Sequence, residues 1–195
     1  MKQEQTGFRH SMGMLKLDLA VSAGLLFFFV SVGFYMSPTT GADTVNTMRQ
    51  WVEPVVQMGP WGILAFIVVN NVVKALVVTV SGVMLGLPSL LFIAINGITI
   101  GSLAGAVGAK AGYVIVAAGL LPHGIIELLA LVLATALGFS LGKEALFWML
   151  RRESHLKAQF RNAFSIYLMV VLPLLVIAAV IEVTITPWLT RMVGG

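Results

Sequence analysis

Five stretches of this chain are apolar for long enough to cross a bilayer, so lipid is the solvent in which much of it must fold. A span takes about 20 mostly apolar residues, and residues 15–36, 60–80, 90–109, 124–141 and 164–186 approach or exceed that length. Hydrocarbon offers no hydrogen bonds, so every buried backbone group must be satisfied internally, which leaves helices or a closed barrel. Runs this long specify helices. Of 195 residues, 58% are hydrophobic and only 10% charged. A water-soluble globule of that size buries only part of its surface and cannot hide so much apolar material. The fold class expected is all-α: one membrane domain over 1–195, with a first span and connector in 1–60 and the core of the bundle in 61–190.

Composition also excludes. The net charge of +4 is spread over loops and ends, whereas nucleic-acid binding needs a dense basic face, so no nucleic-acid partner is expected. The absence of cysteine removes disulfides, thiol chemistry and thiolate-bound metal. The first apolar run exceeds the roughly 7–15 residues of a signal-peptide core and is read as a retained span, with Asp18 near its start. No nucleophile–base pair, phosphate loop or HExxH motif is present, so the chain is not expected to be an enzyme. No internal repeat is visible, which weakens the case for an inverted-repeat transporter.

The connectors set the topology. Ser37-Pro38-Thr39-Thr40-Gly41 reads as a turn. Residues 43–59, with Val45, Met48, Val52, Val55 and Val56 at near-helical spacing, read as an amphipathic helix on the membrane surface or as a plain connecting helix. Pro60-Trp61 resembles a helix start with an interfacial anchor, and residues 81–88 form a turn. The stretch 111–142 is too long for one crossing at about 1.5 Å per residue. Pro122-His123-Gly124 is read as a break, dividing a re-entrant half-helix, 113–121, from the span 124–141. The last span should end at Pro187-Trp188. Lys2, Arg9 and Lys16 then share a side with Lys143, Arg151, Arg152, Lys157 and Arg161 across four crossings. Arg49, Lys110 and Arg191 fall opposite. Positive charge favours the cytoplasm, giving a cell-membrane protein with its N-terminus inside and its C-terminus outside. Arg151, Arg152 and Lys157 serve as an orientation signal, or as a surface for anionic lipid or a partner.

Two residue sets stand out. Gly97, Gly101 and Gly105 lie on one face of the third span, and small residues let helix backbones approach closely in lipid. They serve packing within the chain or contact with a second copy; a homo-oligomer, a dimer, is expected, alongside the bilayer and other membrane or cell-envelope proteins as partners. The second set is intramembrane and polar: Asn70, Asn71 and Lys74 on the second span, Asn96 on the third, His123 and Glu127 on the fourth, and Glu182 on the fifth. Such groups are costly in hydrocarbon and face protein or water. Three readings stay open. The groups pair to fix the arrangement of spans; or Glu127, Glu182 and His123 conduct cations or relay protons; or the same three hold a divalent metal, although no cofactor is otherwise expected.

Asn70-Asn71-Val72-Val73-Lys74, the Gly82 and Gly86 turn, Asn96-Gly97 followed by Gly101, Pro122-His123-Gly124-Ile125-Ile126-Glu127, Gly138, and Glu182 ahead of Pro187 together make the chain resemble the stage II sporulation protein M family. The resemblance covers roughly residues 70–187 and implies a multi-span membrane protein. The family's named member resembles a scaffold that gathers peptidoglycan-degrading enzymes during engulfment. Lys74 stands where many relatives are expected to carry arginine, a difference that matters because buried lysine surrenders its proton more readily.

Overall fold

The computed structural model describes residues 2–194, with side chains placed from residue 15 to 194. The side chains of Lys2 and Arg9, two of the charges invoked for orientation, lie outside the described residues. The described residues form helices joined by short turns, with no strand: α1 Lys2–Val56, α2 Gly59–Ser81, α3 Leu87–Ala111, α4 Tyr113–Met149, α5 Leu156–Ile166, a π-helical turn Tyr167–Val171, and α6 Leu172–Gly194. Five helical runs are long and apolar enough to cross a membrane, the last joining α5, the π turn and α6.

Prolines are where the chain departs from the sequence reading. The expected turn at Ser37–Gly41 is absent, and α1 runs through Pro38. Pro38 cannot donate to the carbonyl four residues back, but the neighbouring hydroxyls stay on the helix. Thr39 and Thr40 both donate to the Met36 carbonyl, at 2.9 and 3.0 Å. Residues 43–56 therefore continue α1 and do not form a separate surface helix. Leu15–Val56 comprises 42 residues, about 63 Å at 1.5 Å per residue. That is twice a core of about 30 Å, so at ordinary tilts the last turns of α1 leave the hydrocarbon.

Nor does Pro-His-Gly break the fourth span. α4 is continuous from Tyr113 to Met149 with Pro122 inside it, so there is no re-entrant half-helix. The break falls at Gly112, the single residue between α3 and α4, whose φ of +93° favours glycine. A proline inside a membrane helix is tolerated where neighbouring helices and side chains compensate. α4 has such a neighbour in α6, which approaches it at Gly119, beside Thr190, and at His123, bonded to Thr186. In the last run, Leu172 N–H donates five residues back to the Tyr167 carbonyl, and this π turn absorbs Pro173. The helix likewise passes Pro187 and ends at Gly194.

Small residues weld the bundle. α1 and α3 run parallel. A Cβ on Gly97 would strike Phe29, on Gly101 the Val30 and Phe34 backbone, and on Gly105 the side chain of Ser37. The complementary glycines Gly33 and Gly41 face Ile98 and Ala106. A second seam seats the α2–α3 turn on α4, Gly82 against Gly138 and Gly142 against Gly86. Leu85 and Gly86 both take positive φ to make that turn.

α4 ends in a Schellman closure. Arg152 N–H donates to the Phe147 carbonyl at 2.9 Å and Arg151 N–H to Trp148 at 3.1 Å, with Arg151 at φ +52°. A side chain in that left-handed conformation costs about 1 kcal/mol or more relative to glycine. Arg151→Gly is expected to stabilise the protein by about 0.5–1 kcal/mol, after its larger unfolded-state entropy is discounted. Thermal unfolding in detergent should show a small rise in Tm; a fall would show that the Arg151 side chain makes a contact outweighing its backbone strain.

Candidate functional site

α4 is the central helix, and its 3.6-residue repeat puts His123 and Glu127 on one face. α6 places Glu182 and Thr186 opposite them by the same spacing. One ligating atom each from His123, Glu127 and Glu182 lies within 4.8 Å of the others. His123 is only 9% exposed, and both glutamates are half-buried. His123 Nδ1 lies 3.0 Å from Thr186 Oγ1. From α2, Asn71 donates its amide to Glu127 Oε1 at 3.0 Å, and Asn70 donates to Asn71 Oδ1 at 3.2 Å. Three helices thus meet through polar side chains.

Two of the expected members stand apart. Lys74 is exposed on α2, beside a shallow groove it lines with Phe66, Val69, Asn70 and Val73. Among the described residues it makes no ion pair within 4 Å with either glutamate. Asn96 donates to the Phe92 carbonyl of its own helix at 2.8 Å. Gly97, Gly101 and Gly105 are covered by α1, so this face is engaged within the chain.

The structure also holds a polar layer that the sequence reading missed. Asp18, 5% exposed on α1, bonds Lys143 of α4 at 2.7 Å. Gln159 donates to Ser140 Oγ at 2.7 Å. Glu144 accepts the His155 N–H at 2.7 Å and the Ser154 hydroxyl, closing the turn into α5. Asp18 Oδ2, Ser22 Oγ and Thr135 Oγ1 are buried without a hydrogen-bond partner. A signal was present, since Asp18 and Lys143 carry opposite charge at the same end of two expected spans.

Between the two layers the interior is apolar. Ala130, Ala134, Leu137 and Leu141 of α4 pack with Ala75, Tyr167, Val171 and Leu175, all at most 3% exposed. Of the polar groups in this zone, Thr79 donates to the Ala75 carbonyl at 2.8 Å and the Tyr167 hydroxyl to the Val72 carbonyl at 2.6 Å, while Thr135 Oγ1 is buried without a partner.

The family model described as stage II sporulation protein M matches residues 21–187. The chain belongs to the stage II sporulation protein M family. The matched region begins within α1 and ends at Pro187, so it takes in the glycine seams, the His–Glu–Glu centre and the Asp18-distal part of the bundle alike. A family relative from Methanocaldococcus jannaschii, described as uncharacterized, is 27% identical over 168 residues, covering 85% of this chain and 89% of its own. No solved structure matches.

Proposed function

We propose that this protein is a non-enzymatic membrane scaffold of the cell membrane, built to hold a fixed outer and inner surface for other membrane or envelope proteins. The observation that carries this reading is the apolar plug of Ala130, Ala134, Leu137, Leu141, Tyr167 and Val171 between the two polar layers. A solute pathway would have to cross it. Close glycine seams on either side leave the helices little freedom to part. The His–Glu–Glu centre then acts as a pin for α2, α4 and α6. The resemblance of the family's named member to an assembly scaffold points the same way.

The topology belongs to the same proposal. Lys16, Arg151, Arg152, Lys157 and Arg161 face the cytoplasm, and Arg49, Lys110 and Arg191 lie outside. The Asp18–Lys143 pair puts the start of the first span and the C-terminal part of α4 on one side of the bundle, which supports that arrangement. A dimer remains part of the proposal, formed through a face other than the glycine stripe.

Cation transport is the second reading, favoured by two carboxylates converging on an imidazole. Flux decides between them. Reconstituted liposomes are expected to show no protein-dependent movement of protons, alkali or divalent cations. A flux that disappears in Glu127→Gln or Glu182→Gln would replace the scaffold with a transporter. In gently solubilised native membranes, the chain should migrate in a complex larger than the purified protein, and Glu127→Gln should disperse that complex while the chain stays inserted. Migration as the bare chain would remove the scaffold.

A further inference from the structure

We propose that His123, Glu127 and Glu182 bind one divalent transition-metal cation of the zinc class, which supplies the pin between α4 and α6. The inference rests on the reading of this centre as structural, and deepens it. The donor set of one imidazole and two carboxylates suits zinc and its neighbours.

Two of the three ligands are oriented through an atom that coordination does not need. Thr186 Oγ1 has the Ile181 carbonyl at 3.4 Å to receive its single proton, and in the tautomer with hydrogen on Nδ1 it accepts from His123 at 3.0 Å. That tautomer leaves the Nε2 lone pair free. Partners that fix ring orientation in this way are the usual second layer of a metal-bound histidine. Asn71 holds Glu127 through Oε1 and leaves Oε2. Glu182 makes no hydrogen bond among the described residues, so both its oxygens are available.

Spacing and charge agree. One candidate donor atom from each of the three residues lies within 4.8 Å of the other two. Zinc bonds of about 2.0–2.2 Å bring ligands to about 3.5 Å apart, so side-chain rotations of about 1 Å close the site. Deprotonated to bind a cation, the two glutamates carry two negative charges, and among the described residues no lysine or arginine lies within 4 Å of them. Lys74, the nearest expected partner, is exposed on α2. A divalent cation with a neutral imidazole cancels that charge, removing the large cost of leaving it uncompensated at depth.

The test uses the intact protein purified in detergent without chelator. Elemental analysis is expected to find about one metal per chain. Chelator should strip it and lower Tm, and zinc should restore both. Cobalt loaded into the stripped protein should give the visible absorption of a coordinated ion. His123→Ala and Glu182→Gln should each abolish the cobalt band, while His155→Ala, at the far turn, should leave it intact. Thr186→Val, a positioning variant that retains all three ligands, should keep the band and weaken zinc affinity about 10–100-fold. No stoichiometric metal together with no thermal shift on adding zinc, manganese or cobalt would overturn the proposal. So would a cobalt band unaffected by His123→Ala and Glu182→Gln. Either result would leave the flux and complex measurements standing as separate tests of the scaffold.

Discussion

Gly101→Leu is expected to unfold or disperse the bundle. A Cβ at this position collides with the Val30 carbonyl, and the Phe34 amide lies immediately beyond. These are backbone atoms of a parallel helix, so no rotamer change can clear them. The helices must part, and the contacts at Gly97 and Gly105 on either side part with them. Overpacking a core typically costs about 1–3 kcal/mol, and a backbone obstacle puts this case at or above the top of that range. For a chain of this size about 3 kcal/mol corresponds to a Tm roughly 10 °C lower. The chain supplies its own control: nothing lies within 4 Å of a Cβ added at Gly24, on the same α1. Gly24→Leu should change Tm little. Thermal unfolding and size-exclusion profiles in one detergent would compare them, and equal behaviour of the two variants would mean that α1 and α3 are not welded as described.

The same seam marks what the sequence could and could not convey. Four-residue glycine spacing is visible in the chain, and its meaning, close backbone approach, follows from lipid offering no hydrophobic drive between helices. The identity of the partner helix is not visible. In water the polar face of a helix points away from its neighbours, but in lipid both faces are apolar and the pattern loses its phase. Lys74 illustrates this: its spacing from Asn70 and Asn71 allowed a place in the centre, yet only Asn71 reaches Glu127. Glu127, Glu182 and His123 were legible because an ionisable group in an apolar run must find company.

The prolines misled for a related reason. Rules drawn from water treat Pro38 and Pro122 as helix ends, because a freed carbonyl is readily hydrated and the chain can turn. Inside a bundle, turning would expose many more backbone groups to hydrocarbon, so α1 and α4 absorb one lost bond each. The break at Gly112 was legible without a proline, as the gap between the third span, ending at 109, and the segment starting at 113. The Asp18–Lys143 layer was missed because charges near span ends also serve to orient the chain, and their pairing depends on which helices are neighbours.

That pair gives the second large effect, and its asymmetry is the informative part. Removing one partner of a buried ion pair costs about 3–5 kcal/mol, since a charge is stranded. The two partners are unequally buried: the Asp18 side chain is 7% exposed and Lys143 34%. Lys143→Met strands the Asp18 carboxylate, whose Oδ2 already lacks a partner, and is expected to cost about 3 kcal/mol. Asp18→Leu strands only the ammonium, which has a long stem and can snorkel to the interface, and should cost about 1 kcal/mol after allowance for its exposure. Asp18→Leu/Lys143→Met should recover most of the loss, because well-packed apolar groups of similar volume replace buried ion pairs at little cost. With the double variant costing about 1 kcal/mol or less, the double-mutant cycle in thermal unfolding should report a coupling of about 3 kcal/mol. Additive losses, or an aspartate variant as damaging as the lysine variant, would show that the inner layer is held by Ser140, Gln159 and the Glu144 turn closure instead of by this pair. The expected order follows from burial alone: the charge that cannot reach water is the one whose partner the fold cannot lose.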